Sequence, residues 1–276
     1  MPSCKIAHSY KSDPPELPAD VMSAADAGFS RISSYFSKSK SIFSELESKE
    51  LSNLILAHLY WNYPQIAFLY LHTLLMKQNN NGSFGDIRET ARAVSCLFVS
   101  RSFLEVRAER LDNKDLSEAR DSAVSYLLSR QSLWEDATNN IYDTVYALSA
   151  LADAGLFCEE VCLDICENDN PGWQHPGTTA LIITALQKQK NLGRFDEKTD
   201  FMVFEYVSKK IDYLLSVRKD GFWSYPATSC LVLQALLLCN RKDEASRSLS
   251  WLLSAQNEDG FWENNLNTTA LALLTL

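Results

Sequence analysis

The chain has 276 residues, 46% of them hydrophobic and 22% charged, enough apolar sequence for a large core, which excludes an intrinsically disordered chain. Its formal net charge is −9, from 35 acidic against 26 basic side chains. With no basic cluster, that balance excludes a duplex-binding surface, so no nucleic-acid partner is expected.

Taken in chain order, residues 1–20 lack the basic start and apolar run of a secretory leader and read as a Pro-containing flexible lead. The remainder, 21–276, reads as one domain of alternating helix types. Amphipathic helices with a broad polar face are expected at about 22–37, 64–77, 115–131, 157–166, 202–217 and 243–255. Between them recurs a second type, opened by Ser or Thr and rich in small residues. The openings are Ser52, Thr90, Thr144, Thr179, Ser229 and Thr269, each followed seven positions on by a leucine, two helical turns later on the same face. No period-two runs mark strands. Six such pairs predict an all-α protein, a single (α/α)6 toroid with six small-residue helices inside and six amphipathic ones outside. An open superhelix of helical hairpins fits the same period. No apolar run reaches the roughly 20 residues needed to span a bilayer, and the expected compartment is the cytoplasm. The 64–76 segment is apolar nearly all round, so its outer face needs cover. The N-terminal lead, a second copy of the chain or a peripheral membrane contact would each supply it.

The turns between paired helices carry a second signal. Gln256-Asn257-Glu258-Asp259-Gly260-Phe261-Trp262 has the form Q-x3-G-x-W, and Gln78 to Phe84 repeats it with Phe in place of Trp. Fragments recur at Gln131 to Trp134, Pro171 to Trp173 and Lys219 to Trp223. This resembles the QW repeat of the squalene–hopene and oxidosqualene cyclases, whose toroid the protein prenyltransferase β subunits share. On residues alone, the glycine suits a positive-φ turn, the glutamine reaches free backbone groups, and the indole stacks on it while burying apolar area. That is a structural role as much as a functional one.

The resemblance implies an isoprenoid-handling enzyme, an isomerase or lyase of the terpene cyclase type, that encloses a linear prenyl or polyene substrate and cyclises it through a cation. In the related cyclases the acid lies in a D-x-D-D motif followed by Thr-Ala. Here the nearest matches are Asp86-Ile87-Arg88-Glu89-Thr90-Ala91 and Asn140-Ile141-Tyr142-Asp143-Thr144-Val145. Aligned on the threonine, the family's proton donor falls on Arg88 or Tyr142, neither of them a carboxylic acid. The catalytic candidates are therefore Asp86, Glu89 and Asp143. Glu89 and Asp143 occupy one position in successive repeats, where they would share a proton or flank a cation, or else cap their helices. Arg88, Tyr142, Trp173, His175, Trp223, Tyr225, Trp262 and Asn267 are the candidate substrate-binding residues. Arg88 would pair with an acid or hold a diphosphate, and the aromatic faces suit a carbocation as well as they suit packing.

No metal site is expected. Asp164-Ile165-Cys166 has a prenyltransferase-like spacing but lies in an outer helix, where Cys158, Cys162 and Cys166 would spread over about 12 Å of one face. No cofactor is expected either, with Mg2+ entering only if the substrate carries a diphosphate. The alternatives are a non-catalytic toroid that binds a lipid or protein, and different chemistry, on a peptide or sugar, on the same fold.

Overall fold

The computed structural model describes residues 17–37, 45–107 and 113–276. Among them lie thirteen α-helices and no strand; the single β-bridge, Lys219 to Phe222, belongs to a turn. The expected outer helices are α1 (Ala19–Ser37), α3 (Pro64–Leu75), α5 (Asn113–Ser129), α8 (Glu159–Glu167), α10 (Glu197–Ser216) and α12 (Lys242–Ser254). Their small-residue partners are α2 (Ser48–Tyr60), α4 (Ile87–Arg107), α7 (Ala137–Asp153), α9 (Pro176–Lys190), α11 (Pro226–Leu238) and α13 (Leu266–Thr275). A one-turn helix, α6 (Gln131–Trp134), precedes α7. Most of the lead expected over 1–20 lies outside the described residues.

The small-residue helices pack on one another in sequence order: α2 on α4, α4 on α7, α7 on α9, α9 on α11, α11 on α13, and α13 back on α2. Ala57, Ala93, Ala147, Ala150, Ala185, Ala235 and Ala272 are fully buried in these helices, and so small a side chain lets neighbouring axes approach closely. The leucine seven positions after the repeated hydroxyl serves the same core: Leu97, Leu151, Leu186 and Leu236 are fully buried. The amphipathic helices pack on them, α3 on α2, α5 on α4, α10 on α9 and α12 on α11, while α1 packs on α12 and α13.

The Q-x3-G turn joins neighbouring outer helices. The Gln78 amide donates to Gly82 O within its own turn (3.0 Å) and to Ala119 O on α5 (2.7 Å). The Gln256 amide does likewise with Gly260 O (3.0 Å) and with Ala24 O on α1 (2.9 Å), so the last outer helix is tied to the first. Both glycines hold positive φ, and a Cβ on Gly82 would lie 2.3 Å from Ser122 O, one on Gly260 2.5 Å from Ala27 O. The indoles tie the turns to the helices through their ring N–H groups. The ring N–H groups of Trp134, Trp223 and Trp262 donate to Leu127, Leu214 and Leu252 carbonyls in the final turns of α5, α10 and α12.

The repeated hydroxyl has a second role. It does not open the helix as expected: the helices start three residues or more before it, and in five of the six repeats the side chain holds the preceding turn, while Ser52 donates to Ser48 O within α2. Thr90, Ser229 and Thr269 accept from the backbone N–H of Phe84, Trp223 and Trp262, and Thr144 and Thr179 donate to the carbonyls of Trp134 and Trp173. A fully buried hydroxyl needs such a partner, which is why Val does not stand there.

On the outer surface of α3, Ile66 and Leu69 remain exposed, with Met76 just beyond it. No helix among the described residues is long and apolar enough to cross a membrane.

Candidate functional site

Each inner helix places its first turn by the same register, and that register sorts the candidate residues. In α4, Asp86 is the cap: its Oδ1 accepts the Glu89 N–H at 2.8 Å. In α9, His175 caps through Nδ1, which accepts from Gly177 N at 3.2 Å; in α13, Asn265 caps through Oδ1 and Thr268 N at 2.9 Å. Tyr225 occupies the cap position of α11 without a capping bond and is exposed. In α7 the helix breaks at Asn140 (φ −154°, ψ 82°), which leaves a fresh start where Asn140 Oδ1 faces the Asp143 N–H at 3.4 Å. Asp86 and His175 thus serve local backbone geometry.

The next positions of the register carry the remaining polar groups. Second in their helices stand Arg88, Tyr142 and Asn267; third stand Glu89, Asp143 and Thr178. Arg88 Nε lies 3.0 Å from Asp143 Oδ1 and 3.9 Å from Asp86 Oδ2, so α4 and α7 meet through a guanidinium between two carboxylates. Neither Arg88 Nε nor Asp143 Oδ1 makes a directed hydrogen bond, although both atoms are screened from solvent. The contact is therefore one of charge. Burial pushes the Asp143 carboxyl above the usual carboxylate range, Arg88 opposes that, and the Asp86 charge adds to it. The partner expected for Asp143 was Glu89; the charges that act on it are Arg88 and Asp86. Glu89 folds back on its own turn, where a Cβ on Gly85 would collide with its carboxyl at 1.8 Å.

Neighbouring inner helices are linked by polar contacts at the same level. The Tyr142 hydroxyl pairs with Thr178 Oγ1 at 2.9 Å, joining α7 to α9, and Asn53 Nδ2 donates to Asn267 Oδ1 at 2.8 Å, joining α2 to α13. One turn further in, the Arg92 guanidinium lies 4.0 Å above the Tyr146 ring. Sequence reasoning did not single out Thr178, Arg92, Tyr146 or Asn53. Arg92 and Tyr146 could have been found, because each lies one helical turn beyond Arg88 or Tyr142 and so on the same face.

The three tryptophans are placed otherwise. Trp173, Trp223 and Trp262 are 5%, 1% and 0% exposed and belong to the core between helix layers, so their faces are taken up by packing. The α8 cysteines Cys158, Cys162 and Cys166 are free, and burial pushes all three thiols up. Among the described residues no group of three or more His, Cys, Asp or Glu side chains is set to hold a metal ion.

No protein-family model matches the chain, and no curated protein matches it either.

Proposed function

We propose that the chain is an (α/α)6 toroid and an isoprenoid-handling enzyme of the terpene cyclase type, with Asp143 as its acid. Closure is supported by the circuit of inner-helix contacts, which ends with α13 on α2, and by Gln256 on α1. The observation that carries the activity is the Asp143 carboxyl. It stands at the inner-helix mouth, half-buried, raised by desolvation, with one oxygen that no hydrogen bond satisfies. Once protonated, a carboxyl so placed can deliver a proton to an alkene or epoxide that water does not reach. Beside it stand Arg88 and Tyr142, which orient the acid and the substrate end, with Asn267 on the far side of the mouth. Glu89 and Asp86 add negative charge against which a developing cation is stabilised.

Gas chromatography–mass spectrometry of incubations with squalene, farnesyl diphosphate and geranylgeranyl diphosphate, with and without magnesium, tests this reading. A cyclic product should form from one of them and fall at least about a hundredfold in Asp143→Asn. Full turnover in that variant would refute the assignment of the acid.

A second reading, a toroid that binds a lipid without turning it over, is favoured by the Arg88 contact, which works to keep Asp143 ionised, and by the burial of the three indoles. Retention of a prenyl ligand with no product from any substrate would support it.

A further inference from the structure

We propose that Arg88 and Asp143 form a ligand-released latch: a phosphoryl or diphosphoryl head group takes Arg88 away from Asp143, and the freed carboxylate binds one proton from solvent. This rests on the inner-helix mouth being the substrate site, and it names the head group and the order of events there.

The geometry of the pair is that of a contact easily exchanged. A guanidinium offers five donors in a planar fork, and forked, linear contacts are what make Arg–carboxylate pairs strong. Here the approach is through Nε alone at 3.0 Å, with no directed hydrogen bond on either atom. An oxyanion that accepts two parallel bonds from the same guanidinium exchanges a misaligned partner for an aligned one. Access runs the right way as well: the Arg88 side chain is 42% exposed against 17% for Asp143, so a group entering from solvent meets the guanidinium first.

Charge balance then requires the proton. The charges that act on Asp143 are those of Arg88 and Asp86, from α4 and its leading turn; on the adjoining turns Arg92 lies over the Tyr146 ring and the Tyr142 hydroxyl pairs with Thr178 of α9. Two carboxylates thus stand against one guanidinium, so an added anion is repelled unless a carboxylate is neutralised. Asp143 is the one that burial already biases towards the protonated form, with Arg88 opposing. Once Arg88 turns to the ligand, the opposition is gone. The carboxylate plus one solvent proton gives the carboxylic acid, and no other bond forms or breaks. Arg88 binds the head group in this scheme, and Asp143 carries its proton only when a head group is bound.

Isothermal titration with inorganic pyrophosphate at pH 6, in two buffers of different ionisation heat, reads binding and proton uptake together. The wild type should bind with uptake of between zero and one proton per site. Arg88→Gln should weaken binding at least about tenfold. Asp143→Asn should bind roughly tenfold more tightly, because the competitor for Arg88 is removed, and should take up no proton. Arg88→Lys keeps the charge but loses the fork, so it should bind weakly with proton uptake intact; thermal melts establish that each variant is folded. Farnesyl diphosphate binding more tightly than pyrophosphate assigns the anion to an isoprenoid head, and equal binding assigns it to a free diphosphate. Absence of saturable heat in the wild type, equal affinity in Arg88→Gln, or proton uptake that survives in Asp143→Asn would each overturn the latch. Turnover is not involved, so the two proposals fail separately. Cyclisation of squalene without pyrophosphate-linked uptake sinks the latch alone, and linked uptake without any product sinks the cyclase alone.

Discussion

His58 is buried at the junction of α1, α2 and α3, with its Nδ1 2.7 Å from Leu54 O and the rings of Phe29, Tyr63 and Tyr70 around it. Desolvation lowers its pKa from 6.5 to about 4, against a smaller opposing effect of the Leu54 carbonyl. The folded state therefore binds the proton less well than the unfolded chain. Stability from this residue is complete above pH 6.5 and is lost as pH falls from there towards 4, by about 2–3 kcal/mol at pH 4.5. Urea unfolding at pH 7.5 and 4.5 should show that loss in the wild type and a much flatter response in His58→Leu; equal slopes would assign the acid sensitivity to the carboxylates. Nothing in the sequence marks His58 out, because burial of a polar ring is a tertiary fact that no local pattern carries. The mouth residues were legible for the opposite reason. A threonine register aligned Arg88 with Tyr142 and Glu89 with Asp143, and the helices use that same register. What the register could not tell is which acid Arg88 faces, since that depends on how α4 and α7 lie side by side. Nor could it separate caps from free groups: Asp86 and His175 look as chemical as Asp143 until their oxygen or nitrogen is found on a backbone N–H.

At the scale of elements, the turns are where a single atom decides the packing. Gly82 combines φ +87° with a neighbour, Ser122 O, that a Cβ would meet at 2.3 Å, whereas Gly193 has φ +65° and open space around it. Gly82→Ala must therefore push α5 away from the turn and should cost about 2–4 kcal/mol, while Gly193→Ala carries only backbone strain, about 1 kcal/mol. Thermal or urea unfolding of the two variants compares them directly, and equal costs would show that the turn yields without moving α5. Thr90→Val belongs to the same element. It leaves the Phe84 N–H buried and unpaired and should cost about 1–3 kcal/mol. The amphipathic helices are legible to within about five residues of their ends because all but the apolar α3 show a polar face against an apolar stripe. The starts of the inner helices were read late, at the hydroxyl, because a buried Thr that braces the previous turn and a Thr that caps a helix look alike in sequence. The Trp faces are likewise open to either reading in the sequence, and their burial in the core decides it for packing.

At the scale of the whole molecule, the first and last repeats meet at one seam, where α13 packs on α2. A linear stack of helical hairpins would leave α2 and α13 at opposite ends, more than 200 positions apart in sequence. In a closed toroid they are neighbours, and the side chains at their junction must interlock. Two contacts meet there: the Trp61 indole N–H donates to Leu273 O at 2.7 Å and Asn53 donates to Asn267 at 2.8 Å; beside them Gln256, in the turn after α12, reaches Ala24 O on α1 at 2.9 Å. Closure matters for function as well as fold, since it is what would bring Asn267 to the same mouth as Arg88 and Asp143. Repeats stacked in a line can fray from either end, whereas a ring has no end, so a local defect at the seam should loosen both sides of it together. Trp61→Ala removes the indole contact and should lower stability by about 2 kcal/mol. In hydrogen exchange by mass spectrometry, the variant should exchange faster in α2 and in α13 alike, with the α7 and α9 amides changed least. Acceleration confined to α2 would mean that the first and last repeats are not packed together in solution, and the closed toroid, with the shared mouth that depends on it, would have to be abandoned.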